Sequence, residues 1–318
     1  MGLSIFPGIK WSGVMGNYNE ENILVRLNQP GSVYQLAIFR ILLGLEIVYV
    51  SASSIFRYLS LVPDVAYNTN VFPGLINQWV ETIAISYLRP ITLILAVFLV
   101  AGVLTRYILP LLSISFMLLF SFYYSRHNAP HPWLYIWFPL LLLNFTRCSD
   151  ALSLDKQLGL IKPLSDRSSP VYRWPMEMIA SWMVYIYVAA GVSKLMPVYK
   201  IWNWMHGGTS QDMMYHRFLH SNYFYLFNRP LFDYSHHAWL FAGLSMVSVG
   251  IELFCIMILF TRRYNLVIFC LLMGMHFILY LTGVLGFMQL ALVLSISLIN
   301  PLFIELVFKK RNIKSIPT

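Results

Sequence analysis

Lys194 is the residue of this chain best placed to do chemistry. It ends the run Trp174–Leu195, which is otherwise apolar apart from Glu177 and a few small hydroxyls. Burial disfavours a charged amine, and ionisable groups inside apolar spans are rare enough to mark function. A lysine kept out of water and uncharged can serve as a base. A lysine at a helix end can also simply snorkel to the headgroups. Gly191 and Ser193 weaken that second reading by making the surroundings small, as where helices approach closely. The aromatic segment that follows Lys194 weakens it further.

Histidines are the second clue. His127 and His131 lie in one short connection, His276 lies inside a late apolar run, and His206, His216, His220, His236 and His237 all follow Lys194. In the topology set out below, every one falls on the same side. Imidazole titrates near neutral pH and works as acid or base. His131 and His276 are therefore candidate helpers for Lys194. His216 and His220 are four apart and could share a helix face as metal ligands, but without an HExxH pattern that spacing carries little weight. No metal is expected.

Four further charges lie in or beside apolar runs: Arg40, Glu46, Glu177 and Glu252. Arg40 and Glu46 are six apart, do not stack on one helical face, and should pair with other helices. Glu252 is mid-run, where a carboxylate is costly unless protonated or paired. These four read as polar links within a helical bundle as readily as site groups. Asn144, Gln289 and Asn300 read as helix contacts. The sequence holds no glycine-rich phosphate loop, no Ser-His-Asp order and no CxxC spacing. Its three scattered cysteines, Cys148, Cys255 and Cys270, argue against a disulfide framework.

These residues must be positioned by membrane helices. Of the 318 residues, 58% are hydrophobic and only 11% charged, where a soluble domain carries about a quarter charged. The net charge of +9 is scattered, which disfavours a nucleic-acid partner and suits loops with an excess of Lys and Arg on the cytoplasmic side. The first 30 residues lack a compact apolar core before a small-residue cleavage site, so the first apolar run is expected to act as the insertion signal.

The expected fold is all-α: a polytopic integral membrane helical bundle of about eight transmembrane helices plus extracytoplasmic interfacial helices. The spans run approximately over Tyr34–Ser54, Pro90–Leu104, Ile108–Tyr124, Trp133–Phe145, Pro175–Leu195, Ala238–Phe260, Tyr264–Leu281 and Val284–Val307. With that count Arg106, the polar stretch Arg147–Arg173, Arg262-Arg263 and the tail Lys309-Lys310-Arg311 share one side, the cytoplasmic one. Residues 1–33 form a cytoplasmic N-terminal segment, 34–307 the membrane domain and 308–318 a basic cytoplasmic tail. The segments 57–89, 125–132 and 196–237 then face outward, at a cell membrane crossed many times. The stretch 196–237 is rich in Trp, Tyr, Phe and His, including Trp202, Trp204 and Tyr215. It is expected to form interfacial helices in contact with membrane lipid. Arg147–Arg173, rich in Ser, Asp, Lys and Pro, is expected to be a solvated loop.

Four stretches in this order resemble a known family. They are Leu36-Ala37-Ile38-Phe39-Arg40 with Gly44; His131-Pro132-Trp133-Leu134-Tyr135, continuing through Asn144-Phe145 to Asp150 and Ser153-Leu154-Asp155; Tyr187 to Leu195 with Trp204 and Gly207; and Glu252 through Arg262 to His276. Together they are similar to the transmembrane (HTTM) domain of vitamin K-dependent γ-glutamyl carboxylases. The resemblance implies a lysine base at Lys194 that deprotonates a reduced quinone of the vitamin K or menaquinone kind. Oxygen then converts the hydroquinone to an epoxide through a strong base, which takes a γ-proton from a peptide glutamate, and the carbanion takes up carbon dioxide. It implies further that His131 assists and that Arg217 holds the substrate carboxylate; His216 and Trp204 are expected to contact substrate as well. The large extracytoplasmic domain of those carboxylases is not expected here, and their lysine pair stands as Ser193-Lys194. In size and layout the chain is closer to shorter bacterial members, which resemble the membrane protein required to mature a sporulation-delaying peptide toxin. Two functions follow: a quinone-coupled, oxygen-dependent membrane enzyme acting on a peptide or lipid-soluble substrate, or a non-catalytic membrane partner in maturation or export of a secreted peptide, working with a soluble companion protein.

Overall fold

The computed structural model describes residues 23–52, 84–126, 131–166, 169–196, 238–281, 288–301, 303–305 and 307–308. Every regular element among them is a helix. In chain order these are α1 (Ile23–Arg26), α2 (Val33–Ala52), a π-helical turn (Ala84–Leu88), α3 (Arg89–Ala101), α4 (Thr105–Arg126), α5 (His131–Leu143) and α6 (Leu154–Gln157). After a 3₁₀ turn (Pro170–Tyr172) come α7 (Trp174–Leu195), α8 (Ala238–Phe254), α9 (Met257–Phe260), α10 (Asn265–Leu281) and α11 (Met288–Ser295), which ends in a second 3₁₀ turn (Ile296–Leu298). Three helices are long and apolar enough to cross a membrane: Val33–Ala52, Pro170–Leu195 and Trp239–Phe260.

The chain folds as two compact units, one of residues 1–29 with 180–284 and the other of 30–179 with 285–318. In the second unit α2 packs along α3 at Gly44, where a β-carbon would stand 2.7 Å from Val100 Cγ2. Leu36, Phe39, Leu43 and Ile47 of α2, Leu99 of α3, Phe116 and Leu119 of α4, and Leu140 and Leu143 of α5 are buried. Among helices this apolar, close packing and polar links do more than exclusion from water to hold neighbours together, because lipid tails are as apolar as leucine. Small residues at the approaches therefore matter as much as large ones.

Two expectations need correction. The stretch 147–173 is a solvated loop only in its middle: 157–166 is largely exposed, while Cys148, Asp150, Ala151, Ser153 and Asp155 at one end and Tyr172 and Arg173 at the other are buried. Several of its polar groups meet partners in the same unit: Asp150 accepts from Tyr172, and Asp155 from the backbone amides of Leu104 and Thr105. The run Val284–Val307 is not one helix either. It stops in the 3₁₀ turn before Ile299, which is extended. Pro301 disfavours helix at the residue before it, and Gln35 Nε2 donates to the freed carbonyls of Ile296 and Ile299, both at 2.9 Å.

The sixth run is also interrupted. Between α8 and α9, Ile256 N–H donates to Leu253 O and Ile258 N–H to Cys255 O, a local 3₁₀ tightening of the kind that bends a helix. Arg26, fully buried on α1, donates from Nη2 to Ile258 O at 2.6 Å. Part of the expected N-terminal segment is thus built into the fold. The tail 309–318, the cysteine-free stretch 53–83 and residues 197–237 lie outside the described residues.

Candidate functional site

On α7, Tyr187, Gly191 and Lys194 are spaced i, i+4 and i+7 and share one face. On α8, Ser245, Ser248 and Glu252, spaced i, i+3 and i+7, also share one face. The two faces approach at Gly191, where a β-carbon would lie 3.1 Å from Glu252 Cβ and from Leu253 Cδ2. Glycine lets the backbones come this close, and it does so one turn below Lys194. The result is an ion pair: Lys194 Nζ donates to Glu252 Oε1 at 2.5 Å, with side chains 16% and 6% exposed. The other carboxylate oxygen, Glu252 Oε2, is buried and meets no hydrogen-bond partner at close range among the described residues, while Ser248, one turn earlier on α8, also interacts with this carboxyl group.

A second polar pair adjoins the first. Tyr187 Oη and His276 Nε2 of α10 share a buried hydrogen bond of 2.7 Å, in which either donates according to the imidazole tautomer. Their rings meet edge to face at 5.8 Å. The Lys194 charge acts electrostatically on His276. Ser248 Oγ donates to Met275 Sδ at 3.3 Å, closing the α8–α10 side. The four groups Lys194, Glu252, Tyr187 and His276 form one set of proton-carrying side chains within a single folded unit.

Two candidates of the sequence reading, Lys194 and His276, are thus in one cluster. Glu252, expected as a bundle link, is the direct partner of Lys194. Tyr187 was not singled out by residue type among 20 tyrosines. Its signal was its place two turns before Lys194 on the same face. The amine does not stand alone in this structure: it is engaged by the Glu252 carboxyl group. His131 opens α5 in the other unit, and its side chain lies outside the described residues, as do Arg217, His216 and Trp204.

The other charges go elsewhere. Glu177 pairs with Arg173 at 2.7 Å across one turn at the start of α7, both fully buried, so one of its partners is on its own segment. Glu46 is buried on α2. Arg40 is fully buried and donates from Nη1 to Cys148 O at 3.2 Å and from Nη2 to Leu152 O at 2.6 Å. It meets backbone carbonyls of the folded 147–173 stretch rather than a helix. Gly102, left-handed at φ 67° where α3 ends, makes room: a β-carbon there would stand 2.6 Å from Arg40 Nη1. Asp155 accepts from Leu104 N at 2.6 Å and Thr105 N at 2.8 Å, capping α4. Asp150 accepts from Tyr172 Oη at 2.7 Å and pairs with Arg147. Asn144 Nδ2 donates to Ser113 Oγ at 2.9 Å, a helix contact. Burial pushes the Cys148 thiol up despite the nearby Arg40 cation, which makes it a poor nucleophile.

Among the described residues, no group of three or more His, Cys, Asp or Glu side chains is arranged to hold a metal ion. No family model, curated protein or solved structure matches this chain.

Proposed function

We propose that this is a multi-pass membrane enzyme of the HTTM kind, with its acid–base centre at the Lys194–Glu252 pair. Its substrate is a reduced, lipid-soluble quinone whose oxygen-dependent oxidation drives modification of a peptide or lipid-soluble acceptor. One observation carries this reading: a charge-assisted pair with an unmet carboxylate oxygen lies beside Tyr187 and His276 among apolar helices. Proton transfer from a weak acid needs such a group close by and water kept away. The Oε2 atom offers the acceptor that a phenolic O–H requires, and Lys194 the charge that a phenolate requires.

The proposal includes about eight spans, cytoplasmic termini and a site opening outward, in keeping with the distribution of Arg and Lys. His131 is assigned to the same chemistry, and Arg217, His216 and Trp204 to substrate contact. The test is consumption of menadiol and oxygen by the detergent-purified chain. Wild type is expected to consume both and Lys194→Ala to fall by a factor of about 100 or more, the size of a lost acid–base group. Equal rates would remove the proposal.

The ion pair itself favours a second reading. A closed Lys–Glu link between α7 and α8 also suits a non-catalytic membrane partner in maturation or export of a secreted peptide, with a soluble companion protein. Unaltered peptide maturation in a Lys194→Ala strain, together with co-purification of such a companion, would select it.

A further inference from the structure

We infer that Glu252, rather than Lys194, takes the substrate proton, and that Lys194 is the resident cation that holds the resulting anion. This deepens the quinol reading and rests on it for its substrate. Three observations carry it. Lys194 Nζ donates to Glu252 Oε1 at 2.5 Å, so the amine and the carboxyl group form one charge-assisted pair with the cation at hand. Lys194 lies in the last turn of α7, where the unpaired carbonyls of the helix end favour a positive charge. Glu252 Oε2 is buried and meets no hydrogen-bond partner at close range among the described residues, which makes it the open acceptor of the cluster. The approach at Gly191 fixes the distance between the two side chains.

The step is a single proton transfer. The quinol O–H bond breaks, its electron pair stays on the phenolate oxygen, and a new O–H bond forms at Glu252 Oε2. Neutralising the carboxylate loosens its hold on the ammonium, which then faces the phenolate. Charge is conserved: one anion has replaced another beside the same cation. Tyr187 and His276, joined at 2.7 Å, lie within electrostatic reach of Lys194.

Two measurements on the full-length purified protein decide it. The first is reductive methylation of Lys194 at neutral pH, followed by peptide mass spectrometry, which reads the neutral amine alone. Wild type and Glu252→Asp are expected to label slowly, and Glu252→Gln about tenfold faster, because its lysine has lost the carboxylate that kept it charged. Equal labelling in wild type and Glu252→Gln overturns the assignment. The second is menadiol consumption. Glu252→Gln is expected to lose a factor of about 1000 as a missing base. Lys194→Arg, which keeps the cation but cannot act as a base, is expected to lose only about tenfold. A Lys194→Arg protein as inactive as Lys194→Ala, beside an active Glu252→Gln, overturns it. Wild type that consumes no menadiol would count against the quinol reading, whereas equal labelling counts against the division of roles, so the two failures are told apart.

Discussion

Two of the buried charged regions among the described residues satisfy their charges in opposite ways. Around Arg40 the guanidinium is met by backbone carbonyls, and Asp155 is met by backbone amides. Around Lys194 the partners are other titratable side chains, with one carboxylate oxygen unmet. Backbone groups cannot give up or gain protons, so the first arrangement holds shape and nothing more. The second can change its protonation state without breaking the fold. Backbone strain points the same way. Leu104 and Leu152 have φ of 46° and 48°, a conformation that costs roughly 1 kcal/mol or more for a non-glycine residue. Leu104 N–H is held by Asp155, and Leu152 O by Arg40. The buried charges of that region stabilise two strained residues.

If the contrast is real, mutations should separate stability from activity in one region and not in the other. The largest expected effect is Arg40→Ala, which leaves the carbonyls of Cys148 and Leu152 unmet. It should cost about 3 kcal/mol or more, read as a lower midpoint of thermal unfolding in detergent with parallel loss of activity. Asp155→Ala should follow at about 1–2 kcal/mol, the loss of a helix cap, measured in the same way. Tyr187→Phe removes one neutral hydrogen bond and should cost about 1 kcal/mol. Its menadiol consumption should nevertheless fall more than that stability change explains. The smallest expected effect on stability sharpens the comparison most. The double variant Lys194→Met with Glu252→Leu should unfold within about 1 kcal/mol of wild type, because a well-packed apolar pair often replaces a buried ion pair without loss. It should have no activity. If it unfolded as readily as Arg40→Ala, the Lys194 pair would be a structural link like the other.

The helices were legible where the apolar run was long and ended cleanly. Tyr34–Ser54, Pro175–Leu195 and Tyr264–Leu281 correspond to Val33–Ala52, Trp174–Leu195 and Asn265–Leu281 within a few residues, since hydropathy over such lengths leaves few alternatives. Val284–Val307 misled because composition is blind to how Asn300-Pro301 and the Gln35 side chain end a helix. Arg147–Arg173 misled for a related reason. Polar composition says that a segment needs hydrogen-bond partners, and at the two ends of this one those partners belong to the protein, while 157–166 is largely exposed.

The candidate site shows the same limit. Its cost was visible residue by residue: a lysine and a glutamate each placed in an apolar run had to be paired, protonated or exposed. The pairing itself was not visible, because Lys194 and Glu252 are 58 positions apart and nothing in either run names the other.

By itself the amino-acid order determined that the chain is helical and apolar, and that a few charges must be answered inside it. That follows from local terms, the transfer cost of each side chain and the period of the helix. Which charge answers which was decided only in three dimensions. The glycine that lets α7 approach α8 beside Glu252, and the left-handed turn at Gly102 that leaves space for Arg40, set distances of a few ångströms between residues remote in sequence. Electrostatic and hydrogen-bond energies change steeply over just that range.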